Sequence, residues 1–184
     1  RHCEGVSPFT PNRCFDLETT EPRLAALLLN YLENRIRVQF QAITSPLGIP
    51  CCKCFVTDGS ENIIRSTGAH LNAGRALISA MTETPYPFPG GPPSSPGLSG
   101  LLRVPFEKLP DFSTGSPESD LALLEQLLAA NGYRPVYVDL TRRDLALPVV
   151  RAMIPGMEIA ADFDRFSRVH PHLFANYIEI FHSP

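Results

Sequence analysis

The chain has 184 residues, 43% hydrophobic and 19% charged, with a net charge of −3; this excludes a disordered polypeptide and offers no basic field to nucleic acid. No apolar run reaches the length of a membrane span, and Arg1 to Phe9 carry no signal-peptide pattern. Five cysteines, an odd and sparse set, point to a reducing cytoplasm, and the absence of a starting Met reads like the inside of a longer protein.

Taken in order, residues 1–20 read as irregular, punctuated by Pro8 and Pro11. Thr20-Glu21-Pro22 opens a helix, because Thr20 or Glu21 can cap and Pro22 in the first turn sacrifices no hydrogen bond. Its expected buried stripe is Leu24, Leu27, Leu28, Tyr31 and Leu32. Ile36, Val38, Phe40 and Ala42 then alternate with Arg37, Gln39 and Gln41, the pattern of a half-buried strand. A turn at Ser45-Pro46-Leu47-Gly48 leads to a second strand from Ile49 to about Val56, closed by a turn at Asp58-Gly59.

The stretch from Arg65 to Thr84 carries the most information. Ser66-Thr67-Gly68 reads as a turn, His70 follows, and Asn72 is a good helix cap. In the helix, Leu77, Ala80, Met81 and Thr84 gather on one side. Arg75, Ser79, Glu83 and Tyr86 fall close to one line on the other, provided the helix continues past Pro85. Residues 85–100 are rich in Pro, Gly and Ser and read as a mobile loop or an extended crossing. After them Ser116 caps and Pro117 begins a helix with apolar Leu121, Leu124, Leu127 and Leu128, ending at Asn131-Gly132. A strand through Val136, Val138 and Leu140, a polar turn from Thr141, and a strand in Leu147–Ile154 follow, with one more strand expected over Asn176–His182.

Helix, strand, Thr-containing turn and Pro-led strand thus occur twice, in units of about 20–57 and 116–156. Thr44 matches Thr141 and Pro50 matches Pro148, at offsets of 97 and 98. The expected fold is α+β, a mixed sheet with packed helices and two similar helix–strand–strand units. Cys51, Cys52 and Cys54 suggest zinc at first sight, but IPCCKCFV alternates as a strand, which turns Cys51 and Cys52 to opposite faces. Buried small apolar cysteines and no bound metal are the expectation. His170-Pro171-His172 has no evident third ligand and reads as a surface loop.

GAHLNAGRALISAMTET, followed by DLALLEQLLAANGYRPVYVDLTRRDLALPVVRAMIPGME, closely resembles the YcaO family of ATP-dependent peptide-backbone-modifying enzymes. The shared features are Gly-Ala-His before a helix with an Ala-Leu…Glu pattern, Val138-Asp139-Leu140-Thr141, Pro148-Val149-Val150-Arg151, and Pro155-Gly156-Met157-Glu158. The likeness runs over roughly residues 19–158, and Arg1-His2 resembles the tail of the family's first carboxylate-bearing helix. It implies a partial YcaO-like domain, residues 1–184, that uses ATP and Mg²⁺ to activate a backbone amide of a peptide or protein substrate. The products would be azolines by cyclodehydration, or thioamides. It also implies a partner protein delivering substrate or nucleophile, and a homodimer.

By the same resemblance Glu83 would ligate the metal, and Ser79, His70 and Arg75 would join it at the nucleotide. Ser79 stands where the family often has Asn and Tyr86 where it often has Gln, and the further acidic ligands would fall in the Pro/Gly segment, which has none. The chain alone is therefore expected to be inactive. Two other readings are a diverged, non-catalytic YcaO-like scaffold or peptide-binding partner, and a small metal-binding protein using Cys51, Cys52, Cys54 and His70.

Overall fold

A computed structural model describes residues 13–44, 47–86, 93–145 and 147–157. These residues fall into two compact units, one within residues 13–113 and one within residues 114–157. The strand expected over Asn176–His182, the His170–His172 pair, Ser45-Pro46, Glu158 and Arg1-His2 lie outside the described residues.

The larger unit is a five-stranded mixed sheet in the order β4-β3-β2-β1-β5, formed by β1 (Cys14–Glu18), β2 (Gln39–Ala42), β3 (Cys51–Thr57), β4 (Ile63–Ala69) and β5 (Leu102–Pro105). Only β1 and β5 run parallel. Helix α1 (Pro22–Glu33) joins β1 to β2, and helix α2 (Ala73–Glu83) follows β4. The smaller unit holds helix α3 (Pro117–Ala130) and an antiparallel hairpin of β6 (Val136–Asp139) and β7 (Val150–Met153). The expected α+β class is thus the observed one.

Local chemistry starts each helix. The Glu21 carboxylate accepts the Leu24 N–H with Pro22 in the first turn, the Asn72 amide oxygen accepts the Arg75 N–H, and the Ser116 hydroxyl accepts the Ser119 N–H. Of the stripe expected on α1, Leu24 and Tyr31 are buried and Leu28 is partly so. Leu27 and Leu32 are exposed instead. At about 100° per residue these two flank the line through the other three, so they fall at the rim of the contact.

Leu24, Tyr31, Leu77, Ala80 and Met81 from the two helices share one core with Phe15, Phe40, Cys52, Cys54 and Val56 of the sheet. Cys52 and Cys54 therefore face this core while Cys51 faces away, all three being buried. Burial pushes the Cys54 thiol up to about 11, with a Thr84 hydrogen bond pulling it back in part. Burial and the neighbouring Cys54 raise Cys52 further still. Both are neutral thiols near pH 7, packed as apolar side chains.

Three expectations change. Residues 14–18, read as irregular, are a strand between β2 and β5. Cross-strand partners, which the local sequence does not contain, supply its hydrogen bonds. The strand β2 is buried on both faces, since Gln39 and Gln41 are as inaccessible as Phe40. The late part of the Pro/Gly segment explains this for Gln39, whose amide bonds to the Leu98 carbonyl and N–H and to Asp16. Residues 93–100 cross as an extended strap, fastened by Ser94 to Arg35 and by Ser95 to Thr57 and Asp58. Gly97 has φ +75, and a Cβ there would lie 2.7 Å from Gln39 Oε1, so glycine serves both the left-handed backbone and the contact.

The third change concerns Ser66-Thr67-Gly68, which is not a turn but the middle of β4, fully paired with β3. Gly68 is there because α2 crosses it in backbone contact: an added Cβ would come 2.1 Å from the Ala76 carbonyl oxygen and 2.8 Å from the Ala80 nitrogen.

One exposed carboxylate organises the entry to α1. Glu107 accepts hydrogen bonds from the Thr19 hydroxyl, the Thr20 N–H and hydroxyl, and the Glu21 N–H. The Thr19 hydroxyl first, with backbone N–H groups, holds its carboxyl down to about 2, against an ordinary 4.5. A depressed carboxylate stabilises the fold above its unfolded-state value, and that contribution is lost as pH falls through the folded one. The melting temperature of wild type should exceed that of Glu107→Gln at pH 6. The gap should close between pH 4.5 and about 2. A gap that is as wide at pH 2 as at pH 6 would show that charge on Glu107 is irrelevant.

Candidate functional site

The candidate residues lie along α2 and the turn before it. His70 follows the last residue of β4, its N–H bonded to the Pro50 carbonyl. Its ring Nδ1 accepts the Asn72 N–H at 2.9 Å, which leaves Nε2 as the nitrogen able to donate. Residues 110–112 strap the start of the helix: Ala73 N–H reaches the Pro110 carbonyl and Phe112 N–H the Leu71 carbonyl. With the Asn72 cap on the Arg75 N–H, the Ala73 and Arg75 amides at the start of α2 are engaged within the protein. Asp111 on this strap is held below the usual carboxylate range, chiefly by Ser113, then by Asn72, with the nearby Arg75 charge adding a little.

Arg75 and Glu83 are exposed and Ser79 is half-buried. The two exposed residues are about 12 Å apart along the helix axis, from a rise of roughly 1.5 Å per residue. The helix is fixed in place at several points, one of them on the flank that carries Ser79. Leu77 and Met81 enter the core, Gly68 lies against the helix backbone, and a polar clasp sits under the last turn. In that clasp the Ser66 hydroxyl and the Thr84 hydroxyl both bond the Ala80 carbonyl, and the two hydroxyls lie 2.7 Å apart.

Tyr86 does not extend the stripe. The helix ends at Glu83 with Thr84 as its cap, and Tyr86 turns back into the core at 5% exposure. Pro85 cannot donate to continue the helix, so the chain leaves it there. Glu83 lines neither of the two main cavities among the described residues. Glu83 can offer one carboxylate and Ser79 one hydroxyl to a cation. Among the described residues no group of three His, Cys, Asp or Glu side chains is close enough to hold a metal. These residues are a part of a magnesium site at most, and do not form one alone.

The larger cavity, about 610 Å³, was not foreseen in the sequence. It is apolar, with Phe15, Cys52, Leu77, Leu102, Leu109 and Phe112 among its walls. A smaller one of about 220 Å³ is bordered by the Asp16–Arg37 ion pair and by Leu28 and Leu32 of α1. Both borrow residues from β5 or the segment after it, elements with too few periodic positions to be read locally. No helix among the described residues is long and apolar enough to cross a membrane.

The fold is similar to that of two solved heterocyclases. A heterocyclase solved with substrate and cofactor matches 86% of this chain with a TM-score of 0.66 at 22% identity. The heterocyclase TruD matches 89% with a TM-score of 0.64 at 20% identity. The sequence model described as YcaO cyclodehydratase, ATP- and Mg²⁺-binding, matches residues 8–85 and 93–158. The chain belongs to the YcaO family. It is also 39% identical over 67 residues to an uncharacterized protein of Methanothermobacter thermautotrophicus, covering 35% of this chain and 17% of that one. The chain spans about a quarter of the two solved heterocyclases, 25% and 26% of their lengths.

Proposed function

We propose that this chain is part of a YcaO enzyme that activates a backbone amide of a peptide substrate, for cyclodehydration or thioamidation, and that α2 forms one wall of its nucleotide site. The observation that carries the reading is that Arg75 and Glu83 are exposed and Ser79 is half-buried along α2, a helix fixed by Leu77 and Met81 in the core and by its backbone contact with Gly68. ATP with Mg²⁺ supplies the leaving group that an amide oxygen otherwise lacks. Glu83 would bring negative charge to the cation, Ser79 a hydroxyl, Arg75 a positive charge for phosphate, and His70 a ring N–H donor. Phosphate oxygens, water and one or two carboxylates fill the six positions that Mg²⁺ takes, so Glu83 would be one ligand among several.

Calorimetry with Mg-ATP on the full-length protein tests this. Glu83→Gln is expected to weaken binding about tenfold or more, the usual scale for disturbing a metal site. The 184-residue chain alone is expected to show no measurable binding. Equal affinity with Glu83 neutralised would remove Glu83 from the site. The second reading, a non-catalytic scaffold or peptide-binding partner, draws on Tyr86, which is buried in the core and contributes nothing to the stripe. Full-length protein that captures a peptide but no nucleotide would favour it. Cytoplasmic location, a homodimer and a partner delivering substrate or nucleophile belong to the same proposal.

A further inference from the structure

The helix α1 with the hairpin β2–β3, and the helix α3 with the hairpin β6–β7, agree in detail well beyond their order. With the offset of 97 up to the threonine and 98 from the proline on, all four rungs coincide. Gln39↔Phe55, Phe40↔Cys54, Gln41↔Lys53 and Ala42↔Cys52 become Val136↔Met153, Tyr137↔Ala152, Val138↔Arg151 and Asp139↔Val150. The C-terminal ends of the helices coincide too. Asn34 and Asn131 are the two C-caps, and their side-chain amides donate to the carbonyls of Asn30 and Leu127, each at 2.8 Å. The next residues, Arg35 and Gly132, both have positive φ, 57 and 80. The chain then re-enters by Ile36 N–H to the Tyr31 carbonyl and Tyr133 N–H to the Leu128 carbonyl, 2.8 and 2.9 Å.

The far ends of the hairpins repeat a less common device. Ile43 N–H bonds the Cys51 carbonyl as Leu140 N–H bonds the Val149 carbonyl. Across each loop a threonine hydroxyl accepts the N–H of the residue after the proline, Cys51 to Thr44 at 3.3 Å and Val149 to Thr141 at 3.1 Å. Any helix followed by a hairpin needs a left-handed cap and a register. Nothing general requires an Asn amide at both caps and a Thr hydroxyl at both loops, at one constant offset with one inserted residue.

We propose that residues 22–56 and 119–154 are two copies of one helix–hairpin module, and that Thr44 and Thr141 are its loop clamps. They are positioning residues that hold the second strand in register behind its proline. Proline gives the ladder no donor, so the N–H just after it is the first that can tie the strand to the loop. The clamp lies outside the proposed nucleotide stripe and stands independently of that functional reading. The copies differ in cover: Phe40 and Cys52 are buried by β1, β4 and the helices, whereas their counterparts Tyr137 and Val150 are exposed. The shared bonds therefore belong to the module and not to a common environment.

Amide hydrogen exchange on the 184-residue chain, read by NMR, tests the proposal. Thr44→Val should speed exchange at Cys51 and Thr141→Val should speed it at Val149, each by about five- to tenfold, the scale of one hydrogen bond. Thr→Ser at either position should restore the slow rate, because it returns the hydroxyl. Asn34→Ala and Asn131→Ala should likewise speed exchange at Ile36 and Tyr133 by similar factors. If only one member of either pair responds, or if valine and serine behave alike, the modules are not equivalent and the proposal fails.

Discussion

Gly68→Ala should destabilise the protein by about 3 kcal/mol or more, at the upper end of what a single added methyl group costs in a packed interior. The new Cβ would sit 2.1 Å from the Ala76 carbonyl oxygen and 2.8 Å from the Ala80 nitrogen. Both are backbone atoms of α2, so no side chain can swing aside; the helix itself must lift. Lifting it opens the contacts of Leu77, Ala80 and Met81, which are 1%, 0% and 4% exposed. It also pulls the Ala80 carbonyl from the Ser66 and Thr84 hydroxyls. Urea unfolding would show a lower midpoint with little change of slope. On the proposal that α2 forms a wall of a nucleotide site, the same change should also weaken Mg-ATP binding, because Glu83 moves with the helix. An unchanged midpoint would show that β4 and α2 do not touch as described.

Phe40→Ala should be as damaging, by about 3–5 kcal/mol. Phe40 is wholly buried at the centre of β2, and its ring stacks on Phe15 with centroids 5.7 Å apart and planes 26° apart. Truncation loses the transfer energy of the ring and leaves a cavity beneath both helices. It also removes an aromatic pair worth about 0.5–1.5 kcal/mol. Since whole domains are stable by only about 5–15 kcal/mol, a large part of the population should unfold at modest denaturant. Leu102→Ala is the matched control: Leu102 is 73% exposed on the edge strand and should change stability little. Equal effects from the two substitutions would place the core elsewhere.

Much of this was legible because it depends on neighbours in sequence. Glu21-Pro22, Asn72 and Ser116-Pro117 start helices where they were expected, since a cap and its N–H lie within three residues of each other. The Asp58-Gly59 turn closes through Asp58 accepting the Ser60 and Asn62 N–H groups, again a local matter. The apolar side of α2 and the alternation of Cys51, Cys52 and Cys54 follow from period alone. The motifs from Gly68-Ala69-His70 to Pro155-Gly156-Met157 carried the family.

The misread residues share one physical cause, a partner distant in the chain. Gly68 looked like a turn residue because glycine usually announces one. It is instead the place where a strand admits a helix from above, and only the position of Ala76 and Ala80 reveals that. Gln39 and Gln41 looked solvent-facing; the strap at residues 93–100 buries Gln39, with its amide fully engaged. Tyr86 looked like the end of a polar stripe until Pro85 ended the helix and the ring entered the core. Periodicity and capping thus determined the helices, the central strands and the family of this chain from residues a few positions apart. The second face of β2, the strand at residues 14–18 and the direction of Glu83 were decided only when segments tens of residues apart came together, because burial is a property of what covers a residue.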